Sequence, residues 1–144
     1  MPTARLRVLI ADDHAPMRAA LRRDLEDGGI DVVAEAGTGT QAIDQALSVR
    51  PDVCLINIRM PDGGGIAATE TIRRSLPSTK VVLMTAIPDE EGAIAAARAG
   101  ADGYLAKDVD PRRLPYIVKA VAAGQAAYPR RLMRALLRAV RQAT

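Results

Sequence analysis

The sequence has no phenylalanine or tryptophan, and it contains only three tyrosines, one histidine and one cysteine. Apolar residues still make up 49% of the chain, so its core must be built mainly from alanine, valine, leucine and isoleucine. Cys54 cannot form an internal disulfide, and its apolar surroundings favour a small core residue over a reactive thiol. His14 has no partner at metal-ligand or triad spacing, which indicates a loop residue without a chemical role.

Long apolar runs are also absent. No stretch approaches the roughly 18 apolar residues that a membrane-spanning helix needs, and the first residues lack the pattern of a signal peptide. The length of 144 residues is that of one ordinary domain. We therefore expect a cytoplasmic protein that has no membrane partner.

The net charge of +3 comes from one end of the chain. Residues 129–144 contain five arginines and no acid, whereas residues 1–128 contain 15 basic and 17 acidic residues. A short basic helix is more often a solvated face or a linker than a nucleic-acid contact. We therefore expect that this chain itself binds no nucleic acid.

Five apolar, strand-like segments alternate with segments of helical periodicity along the chain. Strands are predicted over residues 6–11, 30–36, 53–58, 80–85 and 103–106, with helices over 15–27, from 38 to before 51, from 63 to near 77, from 88 to 100 and over 111–123. This alternation predicts an α/β fold, with one doubly wound parallel sheet of five strands and helices on both faces.

A further amphipathic helical segment is predicted after Pro129. Its residues Leu132, Leu136 and Leu137 have no obvious place in a domain with five helices. We therefore divide the chain into a domain over residues 1–125 and a linker or helix start over residues 126–144.

Polar residues stand at the predicted strand ends. Asp12 and Asp13 follow the first strand, Asn57 and Thr85 lie at the third and fourth, and Lys107 follows the fifth. In an open parallel sheet, ligands bind at the carboxyl ends of the strands, at the point where the strand order reverses. The sequence therefore predicts that these side chains form one site.

The chemistry of this predicted site suits a metal and a phosphoryl group. Adjacent carboxylates attract a divalent cation, and oxygen ligands favour Mg²⁺. The alternative for the acidic pair is a helix cap, supplied by Asp13 or His14. Lys107, the Thr85 hydroxyl and the Ala86 backbone N–H can hold an oxyanion.

Four motifs resemble the receiver domain of bacterial two-component response regulators. They are Ile10–His14, Leu55–Gly63, Met84–Ala86 and Gly100–Lys107. Two features resemble the NarL/FixJ (LuxR-type) subfamily: Asp108, and the run from Ala123-Gly124 to Tyr128-Pro129. The resemblance covers residues 5 to about 128 and implies a flavodoxin/CheY-like (βα)₅ fold.

The resemblance also implies a role for each site residue. A sensor histidine kinase would donate a phosphoryl group to the side chain at position 57. Mg²⁺ would be held by Asp13, residue 57, the backbone carbonyl of Arg59 and, through water, Asp12.

The phosphoryl oxygens would be held by Lys107, Thr85 and Ala86. Thr85 would move toward the phosphoryl group and let Tyr104 turn inward, which would change the face formed by the fourth and fifth helices.

Residue 57 departs from this pattern because it is asparagine. An amide is not a nucleophile, so Asn57 cannot attack a phosphohistidine, and a neutral ligand weakens the Mg²⁺ site. The intact residues around it favour a deliberate replacement of an ordinary aspartate. The alternative is a natural receiver that acts as a phosphorylation-independent interaction module.

Two further expectations concern the whole regulator and its activity. NarL/FixJ-type regulators carry a helix-turn-helix output domain, which is absent from this chain, and we expect a weak homodimer through the terminal segment. A Mg²⁺-dependent phosphohydrolase would place two aspartates two residues apart after the first strand, whereas Asp12 and Asp13 are adjacent. The chain is therefore not expected to be an enzyme.

Overall fold

The alternating segments of the sequence form eleven main elements in a computed structural model that describes residues 4–143. The strands are β1 (Arg7–Ala11), β2 (Asp31–Ala36), β3 (Val53–Asn57), β4 (Lys80–Thr85) and β5 (Gly103–Ala106). The helices are α1 (Ala15–Asp27), α2 (Gly39–Val49), α3 (Gly64–Ser75), α4 (Glu90–Arg98), α5 (Leu114–Ala122) and α6 (Met133–Gln142). The outer ends of the two ranges predicted from the sequence, 1–125 and 126–144, fall on residues 1–3 and 144, which lie outside the described residues.

The sheet is parallel throughout, with the strand order β2-β1-β3-β4-β5. One face is covered by α2, α3 and α4, and the other by α1 and α5. Burial of β3 on both faces explains its continuous apolar sequence. The predicted α/β fold with a doubly wound five-stranded sheet and an extra C-terminal helix is confirmed.

Cys54 lies in β3 and is fully buried, as expected for a core residue and not for a reactive thiol. Desolvation by its apolar surroundings raises the pKa of the thiol to about 12. The predicted role as a core residue is confirmed. Among residues 4–143, no helix combines the length and apolarity that crossing a membrane requires.

Several predicted boundaries differ from the observed ones by one to three residues, among them those of the fifth helix and the third strand. The fifth helix begins at Leu114 and not at Pro111, because Asp110 forms a turn that precedes the helix. The Asp110 side chain accepts a hydrogen bond from the Arg112 N–H at 3.0 Å, and its carbonyl accepts one from the Arg113 N–H at 2.9 Å. The third strand ends at Asn57, one residue earlier than predicted.

The terminal segment packs on the domain, so the expectation that its leucines lack a place was wrong for two of them. Leu132 is only 2% exposed and belongs to the core on the α4 face, and Leu136 packs against the same cluster. The helix α6 that follows lies against α4. Leu137, by contrast, remains 53% exposed.

The chain before α6 also runs along β5, which is the last strand of the sheet. Gly103 and Ala127 form a parallel bridge. The Tyr104 N–H donates to the Ala127 carbonyl at 2.8 Å, and the Ala127 N–H donates to the Asp102 carbonyl at 3.0 Å. This short pairing covers one end of the outer edge of β5.

Candidate functional site

Strand register places the predicted site residues side by side at one edge of the sheet. Ala11 pairs with Ile56, so Asp12 and Asn57 both follow paired positions of neighbouring strands. Thr85 pairs with Ala106, and the Lys107 N–H donates to the Thr85 carbonyl at 2.8 Å. The strand order reverses between β1 and β3, so this is also the point where such sheets bind ligands.

Asp12 uses both of its carboxylate oxygens within the protein. Its Oδ2 lies 2.8 Å from Lys107 Nζ in an ion pair, and its Oδ1 accepts a hydrogen bond from the His14 N–H at 2.9 Å. His14 is the N-cap residue that directly precedes α1, and neither its side chain nor that of Asp13 caps the helix. The alternative considered for the acidic pair, a helix cap supplied by Asp13 or His14, is therefore not observed.

Asn57 is 8% exposed and directs its amino group toward two oxygens. Nδ2 lies 2.8 Å from the Arg59 carbonyl oxygen and makes a longer contact of 3.4 Å with Asp13 Oδ1. The Arg59 carbonyl can only accept hydrogen bonds, and the same holds for the Asp13 carboxylate in its ionised form. The amide must therefore present its N–H groups to them. The network, and not the shape of the side chain, fixes this orientation.

A shallow cavity of about 530 Å³ opens above Asn57. Its lining residues are Asn57, Arg59, Thr85, Ala86, Ile87, Asp89 and Lys107. The cavity thus joins position 57 to a lysine, a hydroxyl and a small residue, the groups predicted to hold an oxyanion. A tetrahedral anion entering it would meet Lys107, although that ammonium already neutralises Asp12.

The oxygen atoms expected to hold a metal fit Mg²⁺ in type, because they are carboxylates and a backbone carbonyl. Asn57, the remaining expected ligand, fits less well, since it turns its N–H groups toward Asp13 and the Arg59 carbonyl. Within residues 4–143, no three histidine, cysteine, aspartate or glutamate side chains are grouped so that they could hold a metal ion.

Tyr104, which was predicted to turn inward on phosphorylation, is already inside. It is 1% exposed, and its hydroxyl accepts a hydrogen bond from the Asp89 N–H at 3.2 Å. Burial raises the pKa of Tyr104 above its ordinary value. Gly92 in α4 makes the room, because a Cβ at this position would lie 2.1 Å from the Tyr104 hydroxyl.

The loop that carries Arg59 is tied to α2 by a residue that the sequence reasoning did not single out. Asp62 Oδ1 accepts from the Gly39 N–H at 2.9 Å, and Oδ2 accepts from the N–H and hydroxyl of Thr40. Hydrogen bonding, first that from the Thr40 hydroxyl, lowers the pKa of Asp62. The Asp-Gly turn signal at residues 62–63 marked a tight loop but not its partner.

Gly65 and Gly92 were also missed. A Cβ on Gly65 would lie 2.4 Å from the Asn57 carbonyl oxygen, so this glycine lets α3 approach the end of β3. The available signal at Gly92 was a single glycine within an alanine-rich helix. Glycine destabilises a helix relative to alanine, so its presence there indicates a close packing contact.

Comparisons with known proteins agree with this geometry. Residues 8–119 match the family model described as "Response regulator receiver domain". A solved LuxR-family two-component response regulator from Aurantimonas sp. is similar, with a TM-score of 0.85 at 30% identity, covering 94% of this chain and 97% of that one.

Two curated relatives are longer than this chain. The DNA-binding transcriptional activator DevR/DosR of Mycobacterium tuberculosis is 34% identical, over 96% of this chain and 64% of its own length. The nitrate/nitrite response regulator protein NarP of Escherichia coli is 38% identical, over 92% of this chain and 62% of its own length. The chain therefore spans slightly less than two thirds of these relatives.

Proposed function

This chain belongs to the response regulator receiver domain family, and we propose from this that it is a signalling module whose position 57 cannot accept a phosphoryl group. The observation that carries the proposal is the place of Asn57, at the end of β3 in a cavity shared with Lys107 and Thr85. The amide nitrogen's lone pair is delocalised into the carbonyl, and its oxygen carries no full charge. Such a group does not attack phosphorus.

We assign the other site residues the roles that the family pattern implies. Lys107, Thr85 and the Ala86 N–H form the phosphoryl-binding part, and Tyr104 is the switch residue. Asp12 and Asp13, with Asn57 and the Arg59 carbonyl, form the metal-binding part. Mg²⁺ is expected to bind there more weakly than in a receiver with a carboxylate at position 57, because one anionic ligand is missing.

Direct phosphorylation tests the proposal. The chain is incubated with acetyl phosphate and Mg²⁺, and its intact mass is measured, with the Asn57→Asp variant as the positive control. We expect no gain in mass for the present chain. A phosphorylated species that maps to the cavity residues would contradict the proposal.

The partners proposed for the whole protein follow from its relatives. A sensor histidine kinase is the proposed partner of the receiver surface, and a DNA-binding output domain is the proposed target of the signal. The name of DevR/DosR, a DNA-binding transcriptional activator, supports a role in transcription regulation for proteins that contain such a receiver. Residues 1–125 are proposed as the receiver and residues 126–144 as the connection to the output domain.

Two origins of Asn57 remain as proposals. The retention of Asp12, Asp13, Thr85 and Lys107 supports a deliberate aspartate-to-asparagine replacement, since natural loss of phosphorylation tends to erode the partner residues too. A natural module that works without phosphorylation is the alternative. One measurement distinguishes the two origins of Asn57. The Asn57→Asp replacement changes binding to a partner if the asparagine was introduced deliberately, and leaves it unchanged if the module works without phosphorylation.

Self-association is expected through the exposed side of α6. Met133, Leu137 and Val140 lie on one helical face and are 43%, 53% and 66% exposed. Replacing Leu137 by Gln should weaken a concentration-dependent dimer in sedimentation experiments. Leu47→Gln is the matched control, because Leu47 is 45% exposed on α2. A chain that is monomeric at every concentration would show that this face does not pair with a second copy.

A further inference from the structure

We propose that the Asn57 amino group takes the place of a divalent cation, so that the Asp13 carboxylate and the Arg59 carbonyl have a hydrogen-bond donor without metal. The proposal rests on the proposed function, because it takes position 57 as the place of a metal-binding carboxylate in related receivers. It concerns what the amide does, beyond its failure to accept a phosphoryl group.

The first observation is the direction of the amide. Nδ2 donates to the Arg59 carbonyl at 2.8 Å and reaches Asp13 Oδ1 at 3.4 Å. These two oxygens are the ones expected to face Mg²⁺. The partly positive N–H groups of Asn57 therefore bridge the pair of oxygens that a cation would otherwise bridge.

The second observation is the engagement of the remaining carboxylate. Asp12 Oδ2 pairs with Lys107 Nζ at 2.8 Å, and Asp12 Oδ1 accepts from the His14 N–H at 2.9 Å. Asp12, Asp13 and Lys107 together carry one net negative charge, and Asn57 supplies a donor to the carboxylate that Lys107 does not pair with. A carboxylate at position 57 would add a charge and remove that donor.

These two observations make the amide and the metal competitors. For Asn57 to coordinate Mg²⁺, its oxygen would have to face Asp13 and the Arg59 carbonyl. That rotation breaks both contacts of Nδ2 and moves the amino group to a position where these acceptors are out of reach. Metal binding through residue 57 is therefore opposed by the hydrogen bonds that the site already has.

Thermal unfolding of three chains tests the proposal: the present chain, Asn57→Asp and Asn57→Ala, each in EDTA and in increasing Mg²⁺. In EDTA we expect the present chain to be the most stable, with Asn57→Asp lower in Tm by roughly 3–6 °C, because a third carboxylate is unpaired. Asn57→Ala should also be lower, since it loses the bridge without adding charge. Mg²⁺ should raise the Tm of Asn57→Asp progressively and leave that of the present chain within about 1 °C.

A second readout follows the amide directly. In ¹⁵N NMR spectra, the side-chain NH₂ signals of Asn57 should stay unchanged during a Mg²⁺ titration. A Tm of the present chain that rises with Mg²⁺ as steeply as that of Asn57→Asp would overturn the proposal. So would an Asn57→Ala chain as stable in EDTA as the present one. A chain that refuses the phosphoryl group and yet binds Mg²⁺ tightly would refute this inference alone, and leave the proposed function standing.

Discussion

With acetyl phosphate and Mg²⁺, the Asn57→Asp variant is expected to take up one phosphoryl group per molecule, whereas the present chain takes up none. The introduced carboxylate oxygen would bond to phosphorus as the bond to the acetyl oxygen breaks and acetate leaves. The cavity residues Lys107 and Thr85 are already beside position 57, so the replacement introduces the nucleophile and an anionic metal ligand next to groups that are in place. Phosphate-affinity gels or intact mass measure the result.

Two further variants identify the cause of the expected gain. Asn57→Ala should remain unphosphorylated, because it has no nucleophile. Lys107→Ala, combined with Asn57→Asp, should be phosphorylated much more slowly, since removing one oxyanion-stabilising group typically costs about 10²–10³ in rate. If Asn57→Asp folds, as judged by circular dichroism, and still accepts nothing, position 57 is not the phosphoacceptor position.

Gly65→Ala is expected to destabilise the protein by about 3 kcal/mol, near the upper end of the cost of overpacking a core. A Cβ at this position would lie 2.4 Å from the Asn57 carbonyl oxygen and 3.0 Å from Ile58 Cα. Both are backbone atoms at the end of β3, so neither can turn aside as a side chain can. The start of α3 would have to move away from β3, which would also displace Asn57. Urea unfolding measures the loss.

Gly37→Ala is the matched control for this substitution. Its Cβ would lie 3.5 Å from the nearest atom, Arg18 Nη1, which is ordinary contact at the far end of a flexible side chain. We expect a change within about 0.5 kcal/mol. Equal stability of the two variants would mean that α3 can shift from β3 at little cost, and that the close approach at Gly65 is not required.

The strand ends of this protein could be predicted from the sequence, because a buried parallel strand is an apolar run that stops at a polar residue. Lys80–Thr85 and Gly103–Ala106 were bounded correctly for this reason. The convergence of Asp12 and Lys107 followed, since carboxyl ends of parallel strands meet at one edge of the sheet. These are local patterns combined with one general rule of topology.

The features that could not be predicted depend on contacts between distant elements. Leu132 is a core residue because it packs in the cluster to which α4 contributes Ala93 and Ala96. Tyr104 is inside only because Gly92 leaves space above it. The direction of the Asn57 amide depends on which atoms of Asp13 and Arg59 surround it. Periodicity describes one segment at a time and contains no information on such pairs.

The short pairing between Ala127 and β5 has a consequence for aggregation. An outer strand with unpaired backbone groups is a template on which another chain can add a strand. Here the Tyr104 N–H and the Asp102 carbonyl are already bonded to Ala127. A receiver cut at the end of α5 would expose both groups beside a short apolar strand and uncover Tyr104, so residues 126–132 protect the sheet from edge-to-edge association.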